Sequence, residues 1–134
     1  MRECIPLRED GDAERHEIEV WGDGEQTRSF MYIDDCVEGT LMIADGPRVD
    51  PINLGSSELV TINGLVDIVE EIAGIRCDRD HRLDAPQGVR GRNSDNTLIQ
   101  QLMGWEPDTS LKDGLTRTYT WVEEQLLARE GATA

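Results

Sequence analysis

The stretch HEIEVWGDGEQTRSFMYIDDCVEG, residues 16–39, contains the change from strand to helix that decides the fold class. Ile18 and Val20 alternate with polar residues and are followed by two closely spaced glycines. This pattern predicts a strand and then a tight loop. The apolar run at residues 28–33 predicts a second extended segment.

A helix is predicted over residues 34–46, because apolar residues recur there at helical spacing. Its apolar stripe consists of Val37, Leu41 and Ala44. Asp35 and Glu38 have the spacing of a capping box at the start of this helix.

The rest of the chain continues the alternation of strands and helices. Residues 51–56 predict a short apolar strand, residues 76–84 a charged edge strand, and residues 85–93 a loop. Three further helices are predicted from their end signals. These signals are Thr61 and Gly74 for the first, Ser94 and Gly104 for the second, and a Ser110–Asp113 capping box for the third. The class is therefore mixed α/β, with at least one βαβ-like crossover.

Composition and length limit the classes of function that the chain can have. The 134 residues suffice for one ordinary domain, and 37% hydrophobic with 31% charged residues is typical of a soluble globular protein. No apolar run approaches the roughly 20 residues of a membrane span, so we expect no membrane contact and a cytoplasmic location. The net charge of −15 argues against nucleic acid as a partner. The cysteines and histidines lack disulfide-framework or metal-site spacing.

Arginines in glycine-containing segments are the candidate anion ligands. A diphosphate held without a metal needs donors from two or more directions, which suits the planar guanidinium group. Arg28 lies among small and polar residues, and Arg90 and Arg92 lie in a loop that leads to Ser94, a predicted helix N-cap. Residues 76–92 contain five arginines and three aspartates, a local excess of two positive charges in an acidic chain.

Structural roles for the same residues remain open at this point. Arg28 could pair with Asp34 or Asp35 across a turn, and the other two arginines could be solvated loop charges. The serine after them could be only a cap. The adjacent aspartates could be an acid–base pair, although a helix start is the commoner role. Trp21 could stack on a base or belong to the core.

Several separate motifs occur in the order found in one enzyme family. The segments GDGEQTRSFMYIDDCVEG, PINLGS, VTINGLVDIVEEIAG and SDNTLIQQLMGWEP resemble extended short-chain dehydrogenase/reductases that act on nucleotide sugars. Within that family, RSFMYIDDCVEG, GVRGRNSDNTLIQQLMGW and GLTRTYTWVEEQ are similar to the GDP-mannose 3,5-epimerases. The resemblance covers roughly residues 18–126.

The resemblance implies a site for a GDP-mannose-like nucleotide sugar. In that family an arginine of the QTRSF-like segment and an arginine of the loop before the last LGW-type helix hold the diphosphate. Here these positions correspond to Arg28 and to one of Arg90 and Arg92. The implied substrate-binding residues are Trp21, Gln26, Thr27, Arg28, Arg90, Arg92 and Ser94.

The resemblance also implies an incomplete enzyme. The glycine-rich NAD-binding turn and the Tyr-x-x-x-Lys pair of the family do not occur in this sequence. We therefore expect the C-terminal substrate-binding portion of an extended short-chain dehydrogenase/reductase, without the N-terminal Rossmann half. It would span residues 18–129, between an irregular segment 1–17 and a frayed tail 130–134. NAD is expected for the full-length family enzyme and not for this chain alone.

Two consequences and two alternatives follow from that interpretation. Apolar faces that the Rossmann half would cover should be exposed, so we expect that half or self-association to cover them, or that region to rearrange. The chain could instead be the substrate portion of another UDP- or dTDP-sugar epimerase, dehydratase or decarboxylase. It could also be a stand-alone, non-catalytic binding module.

Overall fold

The computed structural model describes residues 16–47 and 49–131. Strands and helices alternate along it, as the sequence predicts. In chain order the elements are β1 (His16–Trp21), β2 (Thr27–Arg28), α1 (Ile33–Asp45), β3 (Val60–Thr61), α2 (Ile62–Ala73), β4 (Cys77–Arg82), α3 (Thr97–Met103) and α4 (Leu111–Gly131).

The two longer strands, β1 and β4, form a parallel pair in which His16 lies opposite Cys77 and Trp21 opposite Arg82. Both strands were expected from the alternating and charged runs of the sequence. A parallel pair requires a crossover connection, and α1 and α2 lie in the chain between the two strands. The βαβ-like crossover is therefore confirmed.

The shorter sheet pairs β2 with β3 in antiparallel fashion, Thr27 opposite Thr61 and Arg28 opposite Val60. The extended segment predicted over residues 28–33 is thus mostly irregular. The strand predicted over residues 51–56 is wrong as well, since the structure has no strand there. A strand is defined by hydrogen bonds to a neighbour, and the described strands pair only β1 with β4 and β2 with β3.

Helix α1 turns its predicted apolar stripe away from the rest of the fold. Its buried residues are Asp35 and Gly39, whereas Val37 and Leu41 are 50% and 57% exposed. Ala44 is exposed on the same side. The expectation that an apolar face would remain uncovered is confirmed for this helix.

The capping box predicted at the start of α1 is wrong. The N-cap residue is Tyr32, without a side-chain cap, and Asp35 is buried within the first turn. Its carboxylate accepts hydrogen bonds from the backbone N–H of Thr109 at 3.1 Å and from the Thr109 hydroxyl at 2.9 Å. The carboxylate that local spacing predicted as a helix cap therefore bonds Thr109, 74 residues further along the chain.

The ends of α2 and α4 agree with the sequence. The Thr61 hydroxyl accepts a hydrogen bond from the backbone N–H of Gly64 at 2.9 Å, and Gly74 ends α2 in the left-handed region with φ of 68°. The Ser110 hydroxyl accepts from the backbone N–H of Asp113 at 3.2 Å and donates to its carboxylate at 2.8 Å. α2 and α4 pack against each other.

Helix α3 begins later than predicted, at Thr97, and its N-cap residue is Asn96. Ser94 is therefore not its cap. The carboxylate of Asp95 accepts from the backbone N–H of Thr97 at 3.0 Å and satisfies the helix start instead. Gly104 ends the helix as predicted, with φ of 62°.

Two predicted boundaries change. Residues 16 and 17 belong to β1 and not to an irregular segment, and residues 130 and 131 belong to α4. The other residues of the predicted N-terminal segment and tail, 1–15 and 132–134, lie outside the described residues.

The fully buried apolar core of the described residues is small. It comprises Val20, Ile99 and Leu111. Many large apolar side chains remain at the surface, which is consistent with a fold that has uncovered faces.

Candidate functional site

Two segments that are far apart in the sequence meet at the predicted site. The backbone N–H of Thr27, in β2, donates to the backbone carbonyl of Arg90 at 2.8 Å. Residues 87–94, which we call the arginine loop, therefore lie directly beside Arg28. The structure brings together the two segments that the sequence named separately.

The guanidinium group of Arg28 is directed at the arginine loop. Its Nη1 donates to the carbonyl oxygens of Thr27 at 2.7 Å and Val89 at 2.8 Å, and its Nη2 donates to that of Gln87 at 3.2 Å. The suggested ion pair with Asp34 or Asp35 is not formed. Within the described residues Arg28 thus forms no ion pair, and its guanidinium group lies beside the loop.

The far end of the arginine loop is tied to the segment before β3. The backbone N–H of Ser94 donates to the carbonyl of Ser56 at 3.1 Å, and the Asn93 amide donates to the carbonyl of Ser57 at 3.2 Å. In between, a Cβ atom at Gly91 would come within 2.6 Å of the Thr27 hydroxyl oxygen. Glycine is needed there for the close approach of the loop to β2.

Arg90 and Arg92 are both exposed, and neither has an ion pair within the described residues. The other three arginines counted in the local positive excess behave differently. Arg76 and Arg79 bond Glu70, Arg79 also bonds Asp67, and Arg82 bonds Glu19. The cationic surface is therefore smaller than the count over residues 76–92 suggests, and it consists of the arginine loop with Arg28.

Gln26 and Trp21 have different surroundings. Gln26 is 8% exposed, and its side-chain nitrogen donates to the carbonyl of Trp21 at 2.7 Å. Its Oε1 is buried and has no hydrogen-bond partner in the described structure. Trp21 is 54% exposed, and its indole N–H donates to Glu19 at 2.5 Å. Trp21 is thus a surface residue rather than a core residue, and Gln26 fixes the tight loop after β1.

Ser94 lines a separate, open pocket of about 370 Å³. The Ser94 Oγ and the Asn96 Oδ1 are buried there without a partner among the described residues. The exposed carboxylates of Asp95 and Glu106 also line this pocket. The hydrogen bonds that Asp95 accepts from Thr97, first from its side chain and then from its backbone, lower the pKa of Asp95. A carboxylate that stays ionised makes this pocket a poor place for a phosphate.

Sequence reasoning missed the residues that shape the arginine loop. Gln87, Val89, Ser56 and Ser57 contribute only backbone carbonyls to it. A backbone contact leaves no residue-type signal in a sequence. Nothing in the residue types of Ser56 and Ser57 predicts that their backbone carbonyls accept hydrogen bonds from the arginine loop.

The described residues do not fit a dinucleotide cofactor. A nicotinamide dinucleotide needs a glycine-rich turn that leads from a strand into a helix N-terminus. The glycines after β1 lead into β2, and those after β4, Gly88 and Gly91, lie in the arginine loop without the GxGxxG spacing of such a turn. No reaction step through NAD therefore follows from this part of the chain. Nor do residues 16–47 and 49–131 contain a cluster of three or more potential metal ligands.

The chain is similar in sequence to proteins of known family. A model of the NAD dependent epimerase/dehydratase family matches residues 6–55. GDP-mannose 3,5-epimerase 1 of Oryza sativa subsp. indica is 49% identical to the chain, over 81% of the chain and 29% of that protein. GDP-mannose 3,5-epimerase of Arabidopsis thaliana is 46% identical, with the same two coverages of 81% and 29%.

Solved structures of nucleotide-sugar epimerases are similar to part of this chain as well. UDP-glucuronic acid 4-epimerase from Bacillus cereus, in complex with UDP-glucuronic acid and NAD, has a TM-score of 0.73 at 29% identity, over 80% of this chain and 35% of its own. UDP-glucose 4-epimerase from Thermotoga maritima, with UDP-glucose, has a TM-score of 0.73 at 30% identity, over 82% and 36%.

The fold is thus part of the mixed α/β fold of the extended short-chain dehydrogenase/reductases. A model of the NAD dependent epimerase/dehydratase family thus matches part of the chain, and its homologues include GDP-mannose 3,5-epimerases. It spans 29% of the length of those curated relatives. In the described part of the chain, no helix has the length and apolar character to cross a membrane.

Proposed function

We propose that this chain is the substrate-binding portion of a nucleotide-sugar epimerase, and that it holds the diphosphate of its ligand with arginines from two segments. The observation that carries the proposal is the contact between β2 and the arginine loop. It gathers Arg28, Arg90 and Arg92 at one place in an acidic chain. Arg90 and Arg92 are exposed and have no ion pair in the described structure, so a ligand anion can reach them.

Physical chemistry favours a diphosphate over a single carboxylate as the ligand. Each guanidinium group offers donors in a planar fork, and charged hydrogen bonds contribute about 1.5–3 kcal/mol each. A diphosphate has enough oxygens to accept from more than one such group at once. The surrounding protein, with its net charge of −15, repels anions elsewhere and so favours one defined position.

The identity of the relatives supports guanosine as the base and a mannose-like sugar. Proteins named GDP-mannose 3,5-epimerase are 46–49% identical to this chain, a higher identity than the 29–30% of the UDP-sugar epimerase structures. The second candidate is a UDP-sugar ligand, favoured by the TM-scores of 0.73 to those same structures. The base preference is therefore part of the test.

We also propose that the remainder of the epimerase fold is the partner of this chain and covers α1. The apolar stripe of Val37, Leu41 and Ala44 faces outward on that helix. The helix carries four acidic residues and no basic ones. Two copies of the chain would therefore bring like charges together if they paired through α1, which makes self-association the weaker alternative.

Isothermal titration calorimetry with a panel of GDP-mannose, GDP, UDP-glucose and dTDP-glucose, at one fixed ionic strength, tests the proposal. We expect saturable binding with the GDP ligands preferred. The double variant Arg90→Ala/Arg92→Ala should lose at least about a hundred-fold in affinity, because it removes two charged donors.

The control is Arg82→Ala, which removes one positive charge, from an arginine that already pairs with Glu19. It should bind like the wild type. Equal losses in Arg82→Ala and in the loop variant would show that net charge, and not a diphosphate site, governs binding. A folded wild type that binds none of the four ligands would reject the proposal for this chain alone.

A further inference from the structure

We propose that Arg28 is a positioning residue, which holds the arginine loop in the shape that presents Arg90 and Arg92 to the ligand. This inference rests on the proposed function, since it assigns how the site is kept in order. It differs from the direct diphosphate contact that the family resemblance implies for Arg28. The geometry of its guanidinium group is the reason for the difference.

Most of the donors of Arg28 are already used within the protein. A guanidinium group has five N–H donors. Both donors of Nη1 are taken, by Thr27 and Val89, and one donor of Nη2 is taken by Gln87. At most two N–H groups, one on Nη2 and one on Nε, are left for a ligand. The guanidinium group therefore uses most of its donors within the protein, two of them on the arginine loop.

The three carbonyl oxygens lie on both of the segments that form the site. One belongs to β2 and two belong to the arginine loop, so the guanidinium group bridges them. Gly88, between the two loop carbonyls, has φ of 67°, and a Cβ atom there would come within 3.5 Å of the Arg28 Nη2. The loop backbone thus passes close around the arginine fork at a residue that suits glycine.

Without Arg28 the loop would keep only its other ties. The Thr27–Arg90 backbone bond and the hydrogen bonds of Asn93 and Ser94 remain, but residues 87–89 lose the two hydrogen bonds that their carbonyls accept from Arg28. Lysine cannot replace the fork, because its three donors radiate from one nitrogen and cannot span carbonyls two residues apart. Arg28→Lys therefore keeps the charge and removes the bridge.

Hydrogen exchange measured by mass spectrometry on the ligand-free chain is the first test. The backbone amides of Thr27 and Ser94 donate across the site to the carbonyls of Arg90 and Ser56, and they should exchange at least ten-fold faster in both Arg28→Ala and Arg28→Lys than in the wild type. Amides of α2 and α4 should be unchanged, and Arg82→Ala should exchange like the wild type throughout. Unchanged exchange of the Thr27 and Ser94 amides in Arg28→Lys would overturn the inference, whether or not any nucleotide binds.

A double-mutant cycle on GDP affinity is the second test, and it separates positioning from direct contact. If Arg28 acts through the arginine loop, Arg28→Ala costs ten-fold or more in the wild type but less than about two-fold in the Arg90→Ala/Arg92→Ala background. Equal fold losses in the two backgrounds would mean that Arg28 grips the diphosphate independently. Arg28→Lys with wild-type affinity would contradict positioning in the same way, since that variant keeps only the charge.

Discussion

Replacing Glu70 by glutamine should destabilise the fold far more than the same change at its neighbour Glu71. Glu70 is 4% exposed, and its carboxylate accepts three hydrogen bonds. They come from Arg76 at 2.7 Å, the backbone N–H of Cys77 at 2.9 Å and Arg79 at 3.2 Å. These contacts join the last turn of α2 to the start of β4, so the carboxylate connects the helix to the sheet.

The expected loss in the free energy of unfolding follows from the charges and the burial of the Glu70 carboxylate. A hydrogen bond to a charged group contributes about 1.5–3 kcal/mol and a neutral one about 0.5–1.5 kcal/mol. Glutamine keeps one acceptor for the Cys77 N–H but turns its NH₂ group toward arginine donors. We expect Glu70→Gln to lower the free energy of unfolding by about 3 kcal/mol, within the range for breaking a buried ion pair.

Glu71→Gln is the matched control. Glu71 lies on the same helix and is 62% exposed, and its partner Lys112 is 56% exposed at 2.6 Å. An exposed pair of this kind contributes less than about 1 kcal/mol. Both variants remove one negative charge from the same helix, so any difference between them reports the buried site alone.

Urea denaturation followed by circular dichroism, repeated from pH 7 to pH 3.5, measures both effects. Burial alone would raise the pKa of Glu70, but the hydrogen bonds from Cys77 and Arg76 and the charges of Arg79 and Arg76 outweigh it, so its pKa lies below the ordinary value of 4.5. A carboxyl group whose pKa is lowered by folding stabilises the fold fully above pH 4.5, and the stabilisation is lost as the pH falls through the folded-state pKa.

The free-energy gap between wild type and Glu70→Gln should therefore be largest at pH 7 and should shrink on acidification, because only the wild type has this carboxylate to protonate. A loss of equal size in Glu70→Gln and Glu71→Gln would refute the reasoning. So would a gap that stays constant down to pH 3.5.

Three further changes test other parts of the fold. Gly39→Ala should destabilise the fold by about 1 kcal/mol or more, because the added Cβ would come within 2.7 Å of the Trp105 ring. This cost outweighs the better helix propensity of alanine, and urea denaturation measures the net change. Thr61→Ala should cost about 1 kcal/mol by the same assay, since it removes the cap of α2. If the isolated chain self-associates through α1, Val37→Ser with Leu41→Ser should weaken the association by about a hundred-fold in sedimentation equilibrium.

Each of these changes has a control within the chain. Thr40→Ala, at an exposed position of the same helix, should be nearly neutral where Gly39→Ala is not. Thr116→Ala, in the body of α4, should cost less than Thr61→Ala. Val49 is 98% exposed outside α1, so Val49→Ser should leave self-association unchanged. A wild type that stays monomeric at high concentration would count against self-association as the way the α1 face is covered.

The sequence predicted those features that depend on neighbouring residues. The cap at Thr61, the left-handed glycine at position 74 and the Ser110–Asp113 start of α4 are contacts within a few residues, and residue type and spacing specify them. The two long strands were predicted from alternation and charge. The apolar period of α1 predicted its stripe, and the family resemblance predicted that this stripe would be left uncovered.

Features that depend on distant partners were predicted wrongly or not at all. Asp35 has the spacing of a cap residue, but its carboxylate accepts hydrogen bonds from Thr109, which is 74 residues away in the sequence. Ser94 precedes an apolar helix, but Asp95 and Asn96 stand at the true start. Arg28 was identified as a site residue, but its hydrogen bonds to backbone carbonyls leave no trace in the sequence.

Phosphorus-31 NMR of GDP-mannose tests the central claim most directly, because it observes the diphosphate itself. On addition of the wild-type chain, both diphosphate resonances should shift or broaden in a saturable way. The Arg90→Ala/Arg92→Ala variant should leave them at their free positions, whereas Arg82→Ala should behave like the wild type. Resonances that respond equally to all three chains, or to none of them, would contradict the account.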